Sequence, residues 1–302
     1  MAASTHAWPY YLGGPVWSCK DWIGTVFHEG ADPKSLLREY AKIFNTVEGN
    51  TVFYALPPMA TVEKWMAESG QGFRFAMKFP KAISHERRLA NAGEETRAFF
   101  RVLEALKHGD RLGPSFLQLP PSFNSNHFDI LENYLKSLPQ DFEYAVEARH
   151  ISFYDESDNE KRLDDLLSNH NINKVAFDSR PLFSAQAEEA DSKETNAQSR
   201  KPQTPVRKTV TGQRPFLRYV GRNDIEKNET YIKEWAPVIN KWILEGKKPY
   251  IFVHAANEAQ APYVARALHN QLRKINPLLP EITDFASDKT APSSEQQQLD
   301  LF

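Results

Sequence analysis

The sequence predicts an α/β fold, a single-domain (β/α)8 barrel of the TIM type. Along the 302 residues, short runs rich in β-branched and aromatic residues alternate with longer amphipathic stretches. Eight predicted strands are separated by seven predicted helices, and an eighth helix closes the series, which is the order of a (β/α)8 barrel. Ionisable side chains also collect just after the apolar strands, where a barrel places its active site.

The predicted strands are short apolar runs bounded by glycine, proline or charged residues. In order, they are WPYYLGG from residue 8, NTVEGNTVFYAL from 45, GFRFAMKF from 72, PSFLQLP from 114, FEYAVEAR from 142, INKVAFDS from 172, PFLRYVG from 215 and PYIFVHA from 249. The intervening stretches, such as EETRAFFRVLEALKHG and EAQAPYVARALHNQLRKI, repeat apolar residues at spacings of three and four, as helices that bury one face do.

Two segments are too polar to build a core. Residues 184–213 almost lack large apolar side chains, so we predict a long disordered insertion between strands 6 and 7. Residues 282–302 are predicted to form a flexible tail for the same reason. The barrel domain is therefore assigned to residues 1–281.

Composition excludes several classes of protein. The net charge of −2 leaves no bulk attraction to nucleic acid or to an acidic membrane, so any nucleic-acid contact needs a local basic patch. A single cysteine, Cys19, excludes an intramolecular disulfide framework and fits a reducing compartment. The N-terminus lacks the pattern of a signal peptide, and no apolar run is long enough to span a membrane. We expect a cytoplasmic protein.

Nearly every predicted strand ends in a side chain that can ionise or donate a hydrogen bond. These residues are Glu48, Asn50, Lys78, Gln118, Glu147, Arg149, His150, Asp178, Arg180, Arg218, Arg222, His254 and Asn257. The ends of parallel strands in a closed barrel meet at one face, so we expect many of them to share a cavity.

Each candidate has a structural alternative. Glu147 and Arg149 lie two apart on a strand, so they either neutralise each other or position an anion. Lys78 is either a cation for phosphate or carboxylate, or a lysine whose pKa is lowered by burial. His85 fits a general base or an ordinary loop histidine. His254 with Glu147, Asp178 and His85 has suitable donors for a divalent metal, but no HxxxH or HExxH spacing supports one. No cofactor is predicted.

The strand-end motifs, taken in order, resemble the YecE-like family, domain of unknown function 72. The resemblance rests on FNTVEGNTVFY, FRFAMKFPKAISHERR, RLGPSFLQLPPSF, YAVEARHISFYD, VAFDSR, LRYVGRN and HAANEAQAPYVARAL, and it spans about residues 10–275. It implies a TIM barrel and supplies no reaction. Its characteristic polar residues correspond to Glu48, Asn50, Tyr54, Lys78, His85, Gln118, Glu147, Arg149, His150, Asp178, Arg218 and Gly221.

The function predicted is an acid/base enzyme, of hydrolase or lyase type, acting on an anionic or phosphorylated ligand. The catalytic candidates are Glu48, Glu147, Lys78, His85 and Asp178, with the two glutamates for proton transfer. The ligand-binding candidates are Asn50, Tyr54, Gln118, Arg149, His150, Arg218, Arg222 and His254. Whether the protein is an enzyme at all stays open at this point.

The alternative is a DNA replication or repair accessory. The final residues QLDLF resemble the pentapeptide by which bacterial proteins dock on the DNA polymerase sliding clamp. In that pattern a glutamine amide binds one subsite and leucine and phenylalanine fill apolar pockets, which assigns partner contacts to Gln298, Leu299, Leu301 and Phe302. The other interpretation is that these apolar residues fold back onto the barrel.

Overall fold

The fold comes from a computed structural model, which describes residues 8–186 and 189–290. Its strands are β1 (Tyr11–Gly13), β2 (Thr46–Gly49), β3 (Arg74–Met77), β4 (Ser115–Gln118), β5 (Tyr144–Glu147), β6 (Asn173–Asp178), β7 (Phe216–Gly221) and β8 (Tyr250–Ala255). Its helices are α1 (Leu36–Tyr40), α2 (Met59–Ser69), α3 (Gly93–His108), α4 (Phe128–Ser137), α5 (Asp158–Asn169), α6 (Arg180–Phe183), α7 (Ser192–Arg200), α8 (Glu229–Leu244), α9 (Ala261–Ile275) and α10 (Ala286–Thr290).

The prediction of a closed eight-stranded TIM barrel is wrong. Six strands form one curled sheet in the order β1-β8-β7-β6-β5-β4, and β2 and β3 form a separate two-stranded sheet. The strand pairs within both sheets are parallel. The α/β class and the strand positions follow the sequence, but the hydrogen-bonded ladder does not close.

Glycine and proline residues explain where the ladder is interrupted. Between β3 and β4 only isolated bridges occur, Phe75 with Leu112 and Lys78 with Phe116, and Pro114 between them has no N–H to donate. Between β1 and β2 the backbones come so close at Gly13 that a Cβ there would lie 1.9 Å from the Thr46 carbonyl oxygen. Single hydrogen bonds join the two sheets at this point, such as Glu48 N to Gly14 O at 3.1 Å.

Apolar side chains fill the inner surface of the sheets below their carboxyl ends. One buried cluster lies there, formed by Ala76, Phe116, Ala145, Val175, Phe216, Tyr250 and Phe252. A larger cluster fills the space between the sheets and the surrounding helices, and it includes Trp22, Phe99, Trp235 and Leu268. Because side chains alternate along a strand, the residue two positions after an inner apolar residue also points inward.

The predicted disordered insertion contains ordered structure, so that prediction is wrong for the part described. Residues 192–200 form α7, which begins with a capping box between Asp191 and Glu194. Glu194 is buried and accepts hydrogen bonds from Arg222 Nε at 3.1 Å and Nη2 at 3.2 Å. The helix therefore does not need its own apolar face, because charged contacts to the end of β7 hold it.

The start of the predicted flexible tail packs against the fold. Phe285 is fully buried, and the Ala286 N–H donates to the Val26 carbonyl at 3.2 Å. The proposed clamp-binding residues Gln298, Leu299, Leu301 and Phe302 lie outside the described residues. Among the helices that the structure describes, none combines the length and apolarity needed to cross a membrane.

Candidate functional site

A polar layer lies directly above the inner apolar cluster. Its side chains point inward because side chains alternate along a strand, and most of them lie two positions after a residue of the apolar cluster. Lys78 follows Ala76, Gln118 follows Phe116, and Glu147 follows Ala145 in this way. Arg218 and His254 follow Phe216 and Phe252 in the same way. Glu48 completes the layer from β2, and all six side chains are buried. The sequence-predicted residues at the ends of six strands thus share one site.

Arg218 lies at the centre of this layer. Its Nε donates to Glu48 Oε1 at 2.6 Å and its Nη2 to Glu48 Oε2 at 2.9 Å, which is a bidentate pair. Its Nη1 donates to Glu147 Oε2 at 2.5 Å and lies 3.4 Å from Gln118 Oε1. Arg218 therefore bridges the two sheets, since Glu48 belongs to the smaller sheet and Glu147 to the larger one.

The two glutamates are held as carboxylates. Burial alone would raise the pKa of Glu48, but Arg218 and His254 more than offset this and hold it well below its usual range. Burial acts in the same sense on Glu147, where Arg149 and Arg218 lower the pKa to about 2. Groups that stay ionised at neutral pH and already accept strong hydrogen bonds are poorly suited to proton transfer. Both carboxylates accept hydrogen bonds from the arginines and so hold them in place.

Two partners complete the Glu48 environment. His254 Nε2 lies 3.1 Å from Glu48 Oε1, and burial lowers the pKa of His254 to about 4, so the imidazole is neutral and donates to the carboxylate. Asn50 Nδ2 donates to Glu48 Oε2 at 2.8 Å and to the Pro15 carbonyl at 3.0 Å. Both residues were predicted to bind ligand, and both have hydrogen-bond partners within the protein.

Arg149 presents an unused pair of donors to the site. Its Nε donates to Glu147 Oε1 at 2.5 Å, and its guanidinium carbon lies 5.6 Å from the centroid of the Phe177 ring. Neither Nη1 nor Nη2 has a hydrogen-bond partner in the described part of the chain. Because Glu147 fixes the plane of the group, these two nitrogens form a preset fork of the kind that binds a carboxylate or phosphate.

Lys78 is a buried amine without an ion-pair partner among the described residues. Its Nζ lies 3.8 Å from the centroid of the Phe53 ring. The pKa of Lys78 is lowered to about 7, mainly by burial and also by the positive charges of Arg218 and Arg149, while Glu147 and Glu48 oppose the shift. Near neutral pH the amine therefore exchanges between its charged and neutral forms, which is the property of an acid/base or nucleophilic group.

His85 contacts the same Phe53 ring as Lys78. It belongs to a π-helix, Ala82–Glu86, and its ring is perpendicular to that of Phe53 at a centroid distance of 5.1 Å. Burial and the neighbouring Lys78 lower the pKa of His85 to about 4, so the imidazole is neutral. Short π-helical turns occur often at functional sites, because the extra residue redirects a side chain.

Lys201 is a member of the site that the sequence analysis missed. It follows α7, and its pKa is lowered to about 8, first by burial and then by the charges of Arg218 and Arg149. Lys201 in turn lowers the pKa of His254, so its charge acts on the polar layer. The missed signal was DSKE at 191–194, a capping-box sequence that marks a helix start and hence an ordered approach to Lys201.

Four predicted site residues lie apart from this centre. Asp178 points towards the helix layer, where it binds Arg180 and accepts from Trp235 Nε1 at 2.7 Å. Arg222 holds α7 through Glu194. Tyr54 is 81% exposed. His150 caps the short helix Ile151–Phe153 by accepting from the Ser152 N–H at 3.1 Å.

No metal site forms in the described part of the chain. Its histidine, cysteine and acidic residues never gather in groups of three or more that could hold an ion. The carboxylate oxygens of Glu48 and Glu147 are taken up by the two arginines and His254. The chemistry available at this site is that of amines, guanidinium groups and a neutral imidazole.

Residues 11–284 match the family described as "Protein of unknown function DUF72", which covers the strands that carry the polar layer. The chain belongs to the DUF72 family. A curated relative of this family, the UPF0759 protein YecE of Escherichia coli K12, is 35% identical over 272 residues, or 90% of this chain and 94% of that protein.

Other similar proteins are more distant. The UPF0759 protein YunF of Bacillus subtilis is 26% identical over 149 residues, or 48% of this chain. Crystal structures of DUF72 proteins from Thermotoga maritima and Enterococcus faecalis superpose with TM-scores of 0.65 and 0.61 at 23% and 22% identity. They cover 88% and 81% of this chain and 98% and 94% of their own chains. This likeness supports the fold alone.

Proposed function

We propose that the site binds a small anionic ligand, such as a phosphorylated or carboxylated metabolite, and that Lys78 exchanges a proton with it. The observation that carries the proposal is the group of cations Lys78, Arg149 and Lys201, whose terminal nitrogens have no carboxylate partner among the described residues. Cations held together in a buried site are unfavourable unless something neutralises them, and an anionic ligand would do so.

The two glutamates hold the arginines of the site and are not themselves available to bind an anion. Glu48 and Glu147 accept hydrogen bonds from all three nitrogens of the Arg218 guanidinium group, so the charge of Arg218 is neutralised within the protein. Arg149 shares only one nitrogen with Glu147. The two carboxylates balance the charges of the two arginines, so the excess positive charge lies on Lys78 and Lys201, while Arg149 keeps two nitrogens free for an anion in the described part of the chain. The proton-transfer role moves from the glutamates to Lys78.

Sulfate binding measured by titration calorimetry tests the proposal, since sulfate does not titrate near neutral pH. Arg149→Gln and Lys201→Met should each weaken binding about tenfold, the loss expected for one charge-assisted hydrogen bond. Matched controls are Arg162→Gln, an exposed arginine on α5, and Lys208→Met, a lysine of the same insertion that pairs with Glu234. Equal affinities in all four variants, or no sulfate binding by the intact protein, would refute the anion site.

A further inference from the structure

Lys78, Phe53, His85 and Arg149 together resemble the parts needed for covalent catalysis by an amine. We propose that Lys78 forms an imine with the carbonyl group of an anionic oxo compound whose carboxylate or phosphate lies on Arg149. This rests on the proposed anion site and names the class of ligand that it would take. Three groups support this proposal: the amine of Lys78, the imidazole of His85 and the guanidinium fork of Arg149.

The amine is placed as a nucleophile. Lys78 Nζ lies against the face of the Phe53 ring, and no carboxylate of the described chain holds it as an ammonium ion. A lysine used only to bind an anion gains from remaining charged, whereas one that is buried near two guanidinium groups loses its proton easily. That environment is how lysine becomes nucleophilic at neutral pH.

The neutral imidazole of His85 supplies the proton relay that imine formation needs. It contacts the same Phe53 ring, and Ser84 Oγ lies 2.8 Å from His85 Nδ1, which fixes the ring orientation. The nitrogen lone pair of Lys78 attacks the carbonyl carbon, and a proton moves from nitrogen to the carbonyl oxygen through the imidazole. The oxygen then leaves as water with a second proton from nitrogen, so amine and carbonyl combine with loss of one water.

The two open nitrogens of Arg149 determine which carbonyl compounds can bind next to Lys78. With Nε bound to Glu147, its two open nitrogens can receive one oxyanion group in a bidentate manner. Lys201, which directly follows α7, adds a second positive charge. A ligand that carries a carbonyl close to a carboxylate or phosphate can bind Arg149 through its oxyanion and react with Lys78 through its carbonyl. An uncharged aldehyde satisfies only the amine.

Reductive trapping with glyoxylate and sodium borohydride tests the imine, with acetaldehyde as the uncharged comparison. After digestion, mass spectrometry should find the reduced adduct on Lys78 more than about tenfold faster than on Lys208, which serves as an internal control amine. Labelling by glyoxylate should fall in Arg149→Gln and with excess sulfate. Lys78→Arg, which keeps the charge, should still bind sulfate and should lose the adduct.

The outcomes separate this inference from the proposed function. If sulfate binds at the site but Lys78 reacts no faster than Lys208, the imine is refuted and the anion site stands. If glyoxylate and acetaldehyde label Lys78 equally and sulfate does not compete, the assignment of an anionic oxo compound is wrong, and so is the anion site. If the Lys78→Arg variant still forms a reduced adduct elsewhere in the site, the role of Lys78 is also refuted.

Discussion

The Nζ atom of Lys78 lies 3.8 Å from the centroid of the Phe53 ring, in a site whose other strand-end cations are neutralised by carboxylates. An amine in such surroundings costs stability when it is protonated. The same burial lowers the pKa of Lys78 to about 7, so the neutral amine is available near neutral pH. Stability and reactivity are therefore opposed at this residue.

Replacing Lys78 with methionine should raise the free energy of unfolding at pH 7. The folded-state pKa of about 7 lies below the unfolded value of 10.5, so between these pH values the unfolded chain binds more protons and wild-type stability rises with pH. Lys78 should contribute up to about 1.4 kcal/mol per pH unit to that rise. Urea unfolding at pH 7 and pH 9.5 should show the advantage of Lys78→Met shrinking at the higher pH; an unchanged advantage would contradict the lowered pKa.

Sulfate affinity should depend on pH in the opposite direction. Sulfate favours the protonated amines, so affinity should be constant below about pH 7 and fall as Lys78 and then Lys201, with a pKa of about 8, lose their protons. Binding at pH 8 should take up protons, which calorimetry detects in buffers of different ionisation enthalpy. In Lys78→Met the first part of the fall should disappear.

Removing Arg218 should destabilise the fold strongly. Arg218→Met leaves the buried carboxylates of Glu48 and Glu147 without their main partner, which typically costs about 3–5 kcal/mol. Arg162→Gln on the surface should cost less than about 1 kcal/mol. The double variant Arg218→Met with Glu48→Gln should recover part of the loss. Additive losses in a denaturant-unfolding cycle would show that the bidentate pair carries no coupling.

The link between Arg222 and Glu194 should control the position of Lys201. Glu194→Gln removes the charge that holds α7 on the end of β7, so the segment should open more often and Lys201 should bind anions less well. Limited proteolysis should then cut within residues 189–200 faster than in wild type. Lys193→Met, which removes a hydrogen bond of the same helix to Asn257, is the control and should have a smaller effect.

The clamp-binding prediction concerns residues that the structure does not describe, and it stays a prediction. A peptide of residues 293–302 should bind a bacterial sliding clamp, and Leu301→Ala with Phe302→Ala should remove most of that affinity, because the apolar anchors supply most of the energy. Fluorescence anisotropy with a labelled peptide measures both. If Gln298→Ala and the double variant bind as tightly as the original peptide, the resemblance of QLDLF is accidental.

The strand positions and most of the polar layer could be predicted from the sequence. Lys78 and Glu147 each follow an apolar run and Arg218 interrupts one, and alternation along a strand places all three on the inner face. Asp178 was assigned wrongly to the same site because β6 is buried on both faces, and such strands do not reveal which residues point inward. Phe177, one position earlier, is the residue that contacts Arg149.

Other features depend on contacts that composition does not report. Closure of the sheet failed at Gly13 and Pro114, where local backbone chemistry decides whether a ladder continues. Disorder was predicted for α7 because its sequence is polar, but its order depends on Glu194 meeting Arg222, which is 28 residues away along the chain. The capping-box sequence DSKE marks the start of the helix that precedes Lys201, but the contact that holds this helix in place is not visible in the sequence.

The bidentate contact between Arg218 and Glu48 also bears on how such a protein can change over evolutionary time. The contact joins the two sheets at the point where their ladder is interrupted, so substituting either residue alone loosens the architecture as well as the chemistry. Arg149, Lys78 and Lys201 do not join the two sheets. We therefore expect Glu48 and Arg218 to vary together among related sequences, while the open cations diverge independently as ligands change.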